Sequence, residues 1–361
     1  MLQIKPIETS IQIKNRKDSP SSDRSVVVEV RNLSKTYGHQ LAVKDVSFSF
    51  HGGEVLGLLG PNGAGKSTAM MMITGLLAST SGEVIVNGEK YDGRRLRQRR
   101  LFGIVPQEYA IYQDLSALSN LMFFGRLYGL RGKILKTRCD EVLDQIGLTE
   151  HANRKSATYS GGMKRRLNFG IALIHKPQIL ILDEPTLGVD PQSRFHLMEC
   201  INRQTAEGGS VLYASHYMEE AQSICQRVVI LDHGEVIADD SIHNLLAGLA
   251  ADVYLHVDRT TGINDALIGL ARIATDDAQD PAVVVSGNPR ISATESKALQ
   301  RRTNSNAATT ATGPVTAQFA SRLQATLAKL QELKIQVLSV ETQQSNLERV
   351  FLNLTGKALR D

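Results

Sequence analysis

The chain has no tryptophan, only 3 cysteines in 361 residues, and no long apolar run. Each shortage excludes something. Cys139, Cys200 and Cys225 lie far apart with no C-x-x-C pair. They form neither a metal site nor a disulfide framework, and they fit a reducing cytoplasm. No apolar stretch approaches the ~20 residues needed to cross a bilayer. The chain therefore reads as soluble by itself, with any membrane role reached through another chain. Met1 to Arg24 mixes charges with Ser and Pro and lacks the apolar centre of a signal peptide. The 41 basic against 37 acidic residues leave a net charge of +4, too small to imply a nucleic-acid partner.

Against these absences stands one strong motif. Gly60-Pro61-Asn62-Gly63-Ala64-Gly65-Lys66-Ser67-Thr68 follows the apolar run Val55 to Leu59 and leads into a helical run from Ala69 to Leu77. Strand, glycine-rich turn and helix N-terminus together form a polyphosphate cradle. Glycines let backbone N–H groups crowd the anion, the helix dipole adds positive potential, and Lys66 supplies a mobile charge. The Ser67 hydroxyl suits Mg²⁺.

The remaining pieces fall in order around this loop. Residues 1–25 read as a flexible extension. Val26 to Val30 and Val43 to Phe50 read as strands. Tyr37, just before a turn, offers either a packing surface or a flat face for a base. Glu83 to Gly88 reads as a strand closed by an Asn-Gly turn. The arginines at 94, 95, 97, 99 and 100 read as a solvated helix face, because no aromatics interleave them. Leu101 to Pro106 is a short strand ending at Gln107. Residues 108 to about 170 carry helical spacing, as in Leu118, Leu121, Met122 and Gly125, and read as a helical insert.

Ser160-Gly161-Gly162 opens an apolar helix. A hydroxyl and free N–H groups at the positive end of a dipole make a second anion-binding geometry, or an ordinary cap. Gln178 to Leu182 then runs into Asp183-Glu184. Four apolar residues suit a parallel strand buried on both faces, and carboxylates at its C-terminal end sit where such sheets bind ligands. Asp183 suits Mg²⁺, and Glu184 suits orienting or deprotonating water. Gly188 to Pro191, with Asp190, reads as a turn. Val211 to Ser215 is another buried strand, ending at His216, which is placed for a phosphate contact.

With these residues in this order, the chain resembles the nucleotide-binding subunits of ABC transporters from about Val26 to Leu249. The resemblance implies an α/β P-loop ATPase core, with a RecA-like sheet, an antiparallel β subdomain and a helical subdomain. It implies ATP and Mg²⁺ as cofactors. Tyr37 would stack on adenine, Gly60 to Thr68 would be the Walker A loop, and Gln107 would sense Mg²⁺ and the attacking water. Ser160, Gly161 and Gly162 would form the signature. Asp183 would be the Walker B carboxylate, Glu184 the catalytic base, Asp190 part of the dimer-contacting D-loop, and His216 the switch on the γ-phosphate. Tyr159 and Met163 replace the ends of the common Leu-Ser-Gly-Gly-Gln signature, a form similar to the branch serving type-2 exporters. The implied partners are a membrane permease and a second ATPase subunit, a copy or a similar chain. The implied place is the cytoplasmic face of the inner or plasma membrane. A soluble ATPase acting on ribosomes or DNA is the alternative, but its usual second cassette or coiled-coil insertion is missing.

Residues 250–361 read as a small α/β accessory domain that stabilises the dimer, because no ligand motif occurs there. Within it, Val253 to Val257 alternates as a strand, Ala266 to Ile273 reads as helical, and Ala282 to Val285 is a strand. Ser286 to Thr316 reads as a flexible insertion. Phe319 to Leu330 then reads as a helix, Ile335 to Val340 as a strand and Leu347 to Leu354 as a helix.

Overall fold

The structure, a computed structural model, describes residues 25–247, 249, 252–258, 267, 270–275, 281–286, 314–343 and 345–356. The flexible extension and most of the flexible insertion expected from the sequence fall outside these residues.

A 6-stranded sheet organises the molecule, with strand order β10-β9-β3-β8-β7-β6. Its members are β3 (Val55–Leu59), β6 (Phe102–Val105), β7 (Ile179–Asp183), β8 (Ser210–Ser215), β9 (Arg227–Asp232) and β10 (Glu235–Ser241). Neighbours are parallel except β10, which closes the edge as an antiparallel hairpin with β9. All five residues of β3 and all six of β8 are buried. That is why these segments read as continuous apolar runs and not as alternating ones.

Two apolar layers cover this sheet. One face meets α1 (Lys66–Ile73) and a second, antiparallel sheet of order β2-β1-β4-β5. That sheet comprises β1 (Val26–Tyr37), β2 (Gln40–His51), β4 (Ser81–Val86) and β5 (Glu89–Tyr91). Asn87 and Gly88, both at positive φ, make the tight turn between β4 and β5. The other face is covered by helices. These are α3 (Ala117–Leu127), α4 (Gly132–Gln145), α5 (Gly161–Leu173), α6 (Pro191–Ala206), α7 (Met218–Ile224) and α8 (Ile242–Ala247). The short α2 (Leu96–Arg99) carries the arginine run, and its arginines are exposed.

The C-terminal region builds a 4-stranded sheet, order β12-β13-β11-β14. Its strands are β11 (Asp252–Val257), β12 (Arg272–Thr275), β13 (Pro281–Ser286) and β14 (Val337–Gln343). The helix α9 (Pro314–Glu332) packs on it through Phe319, Leu323 and Leu330. Two expectations change here. Of the helix expected over Ala266 to Ile273, the described residues show the Leu270 and Ala271 N–H groups donating to the Leu267 carbonyl, followed by β12. Arg272 to Thr275 bonds in register with Val284 to Pro281, and that pairing overrides the local apolar spacing.

The last helix, α10 (Leu347–Thr355), does not join the accessory sheet. Leu347, Val350 and Phe351 belong to the same apolar cluster as Met218, Ala221, Ile224 and Cys225. The boundary expected at residue 249 therefore divides the sequence but not the packing. The accessory unit leaves the main domain after α8 and returns to it at α10.

Candidate functional site

The phosphate loop leaves β3 at Leu59 and enters α1 at Lys66. Gly60 and Gly65 hold positive φ, and a Cβ on Gly60 would lie 2.2 Å from the Leu231 carbonyl oxygen. Only glycine fits so close to that backbone. No side chain caps α1, which leaves its leading N–H groups for a bound anion. A cavity of about 330 Å³ opens over the loop, lined by residues 62–68, Gln40, Leu41, Ala42, Gln107, Glu184 and His233. Lys66 is buried, and its Nζ donates to the carbonyl oxygens of Gly60 at 2.7 Å and Pro61 at 3.1 Å. Burial lowers its pKa, and the Glu184 and Asp183 carboxylates oppose that shift.

The two acids diverge at the end of β7. Asp183 closes the strand, whereas Glu184 takes φ 46°, a left-handed conformation rare outside glycine. Such a conformation costs on the order of 1–3 kcal/mol and persists where surroundings dictate it. Here the Glu184 N–H donates to the Ala214 carbonyl at 3.0 Å, and Glu184 Oε1 lies 2.9 Å from His216 Nδ1. The turn sends Glu184 to the cavity and leaves Asp183 beside Ser67. Burial raises the Asp183 pKa, opposed first by a hydrogen bond from Ser67. Asp183 Oδ1 is buried with no hydrogen-bond partner. Asp183 is not in the cavity wall, but its desolvated carboxylate oxygen lies beside the hydroxyl of Ser67, which lines the cavity with Gln107. Together they offer an all-oxygen donor set suited to a hard divalent cation.

The second anion-binding element lies elsewhere. Ser160 caps α5, its Oγ accepting from the Met163 N–H at 3.2 Å. Asp190 caps α6, its Oδ1 accepting from the Ser193 N–H at 2.9 Å. Hydrogen bonds from Ser193 hold the Asp190 carboxyl below the usual range. The two caps abut, since a Cβ on Gly162 would lie 2.2 Å from Ser193 Oγ and 2.5 Å from Asp190 Oδ2. None of Ser160, Gly161 and Gly162 lines the phosphate-loop cavity, and Tyr37 does not either. Tyr37 is exposed, with Lys35 Nζ 5.3 Å from its ring centre. Tyr159 donates its hydroxyl to the His151 carbonyl at 2.6 Å, and Met163 packs half-buried on the helical layer. Both unusual signature ends thus serve packing.

Sequence reading missed several residues here. His233 lines the cavity from a turn that reads only as a hairpin. Thr186, Tyr213 and Glu220 form a buried network in which both hydroxyls donate to Glu220 Oε2, at 2.5 and 2.8 Å. Arg194 of α6 pairs with Glu220 Oε1 at 3.2 Å. Polar groups joined across α6, β8, α7 and the loop after β7 leave no periodic signal. The cysteines stay outside the chemistry, because burial pushes the Cys139 and Cys200 thiols up to about 11.

Comparison with known proteins agrees with this geometry. The family model described as "ABC transporter" matches residues 43–187. The chain is 41% identical over 335 residues to the linearmycin resistance ATP-binding protein LnrL of Bacillus subtilis, covering 93% of this chain and 100% of that protein. It is 34% identical over 360 residues to the Nod factor export ATP-binding protein I of Sinorhizobium fredii, covering 96% and 91%. A solved ATP-binding subunit of an ABC transporter superposes with a TM-score of 0.57 at 32% identity, covering 62% of this chain and 92% of that one. A dimeric ATP-binding cassette solved in a post-hydrolysis state with ADP and Pi gives 0.55 at 28% identity, covering 59% and 98%.

Proposed function

The chain belongs to the ATP-binding subunits of ABC transporters, and we propose that it works as one half of a paired cassette that drives an exporter permease. It binds and hydrolyses ATP, as members of this family do. Lys66 and the loop amides hold the phosphates, and Ser67, Asp183 and Gln107 would hold Mg²⁺. Glu184 orients and deprotonates the attacking water, and His216 contacts the γ-phosphate and aligns Glu184. A bound divalent cation would supply charge neutralisation to the phosphates. Tyr37 stacks on the adenine.

One observation carries the paired arrangement. The phosphate-loop cavity has Lys66, Ser67, Gln107 and Glu184 in its wall but no residue of Ser160 to Gly162. Each chain therefore supplies one phosphate loop and one signature to two different ATP sites, with Asp190 at the seam. ATP completes the contact, so closure is favoured with nucleotide bound and released by hydrolysis. Among the described residues no helix is long and apolar enough to cross a membrane, which fits a peripheral subunit held by a permease at the cytoplasmic face. The accessory sheet with α9 serves to stabilise the pair.

The test is to purify the chain from membranes with whatever integral protein accompanies it and to measure ATP hydrolysis. Lys66→Ala should abolish turnover and ATP-driven pairing. Recovery with ribosomes or DNA in place of a membrane protein would overturn the exporter reading.

A further inference from the structure

The segment 106–110 carries Gln107 from the end of β6 toward α3, and it lies along α5. Two side chains one turn apart on α5 hold it. Arg165, 3% exposed, donates Nη1 to the Pro106 carbonyl at 3.1 Å, and its guanidinium carbon lies 4.9 Å from the Tyr109 ring centre. Asn168, 1% exposed, accepts the Ala110 N–H at 3.1 Å. Its Nδ2 faces the carbonyls of Pro106 at 3.5 Å and Glu108 at 3.4 Å. Tyr109 closes the circuit, with its hydroxyl donating back to the Gly161 carbonyl at 3.4 Å. The backbone is thus gripped on both sides of Gln107, whose own side chain lines the cavity.

Burying an arginine and an asparagine is unfavourable unless their bonds fix something. What they fix is a loop whose backbone polar groups have no strand or helix to pair with. Residues at i and i+3 share one helix face, so both act on one stretch of chain.

We propose that Arg165 and Asn168 are positioning residues that tie the Gln107 segment to the signature helix, so that the two move as one piece. In a closed pair, Ser160 to Gly162 grips the nucleotide seated on the partner's loop. Through α5 that grip sets Gln107 at the chain's own site. Each chain then reports occupancy of one ATP site to the other by a path of two side chains. This rests on the paired-cassette reading above.

The test is a double-mutant cycle on the complex of the chain with its permease. Asn168→Ala should lower kcat for ATP about tenfold, with KM changed less than about twofold, because the residue acts through a group that works in the transition state. In a Gln107→Ala background, the same substitution should cost less than about twofold. Equal losses in the two backgrounds would overturn the proposal, as would a change confined to KM. Arg165→Lys keeps the charge and loses the planar stack on Tyr109. It is put through the same cycle and decides the matter if Asn168→Ala folds poorly, judged by melting temperature. A wild-type complex without ATPase activity would sink the paired-cassette reading itself. Active wild type with independent losses would sink only the tie.

Discussion

His216 Nδ1 stands 2.9 Å from Glu184 Oε1. Both residues come from the C-terminal ends of neighbouring parallel strands, with Asp183 directly across from Ala214. The sheet register therefore delivers the pair, and the left-handed turn at Glu184 aims it. Glu184→Gln keeps the shape and removes the carboxylate proposed as the base. ATP binding should persist while single-turnover hydrolysis falls by about two to four orders of magnitude. His216→Ala should fall similarly, and the double variant should lose less than the product of the two, because the residues act as a unit. Independent losses would separate them.

The two signature glycines should differ in kind. The atom nearest to a Cβ on Gly161 is the Tyr109 hydroxyl at 3.4 Å, whereas a Cβ on Gly162 would collide with Ser193 and Asp190. Gly161→Asp should leave melting temperature and first ATP contact unchanged while blocking ATP-dependent pairing in size-exclusion runs. Gly162→Ala should instead cost about 1–3 kcal/mol of stability in denaturant titrations, since two helix caps must shift.

A pH dependence is built in away from the site. His175 stacks on Tyr128 with ring centres 3.7 Å apart, and its Nε2 lies 2.9 Å from the Phe102 carbonyl. Burial pushes its pKa down to about 4. The folded state holds the neutral ring, so the unfolded state binds the proton first as pH falls. This contribution is intact above the unfolded value of about 6.5 and is lost as pH drops toward 4. Denaturant titrations at pH 7 and pH 5 should show wild type losing about 2 kcal/mol more than His175→Gln. Equal losses would remove His175 from the account.

Phe351, 2% exposed, sits in the helical-side core beside α7. Phe351→Ala should destabilise the main domain by about 3–5 kcal/mol. Thermal unfolding followed by loss of nucleotide binding measures it. An unchanged midpoint would mean that α10 is only loosely docked.

Much of this was legible in residues because physics repeats. Strands β3, β7 and β8 are buried on both faces, so they show as unbroken apolar runs. Gly60, Gly65 and Lys66 announce themselves because the loop tolerates few alternatives. What stayed hidden depends on partners distant in sequence. Arg272 to Thr275 is a strand because β13 is there to pair with it. Nothing in Leu347 to Leu354 says which core its stripe enters. Glu184's backbone turn has no composition signal, and nothing in the sequence ties Asn168 to residues 106–110.

The return of α10 has a further meaning for biosynthesis. The pocket beside α7 that takes Leu347, Val350 and Phe351 is left open until residue 351 has emerged from the ribosome. His216 and the tail also share α7: it begins two residues after His216, and its Gln222 accepts the Leu347 N–H at 3.2 Å. A chain interrupted anywhere in the accessory unit would carry Gly60 to His216 intact and still lack the wedge beside α7. Such a chain would leave the apolar cleft beside α7 open to solvent, because Leu347, Val350 and Phe351 are what fill it.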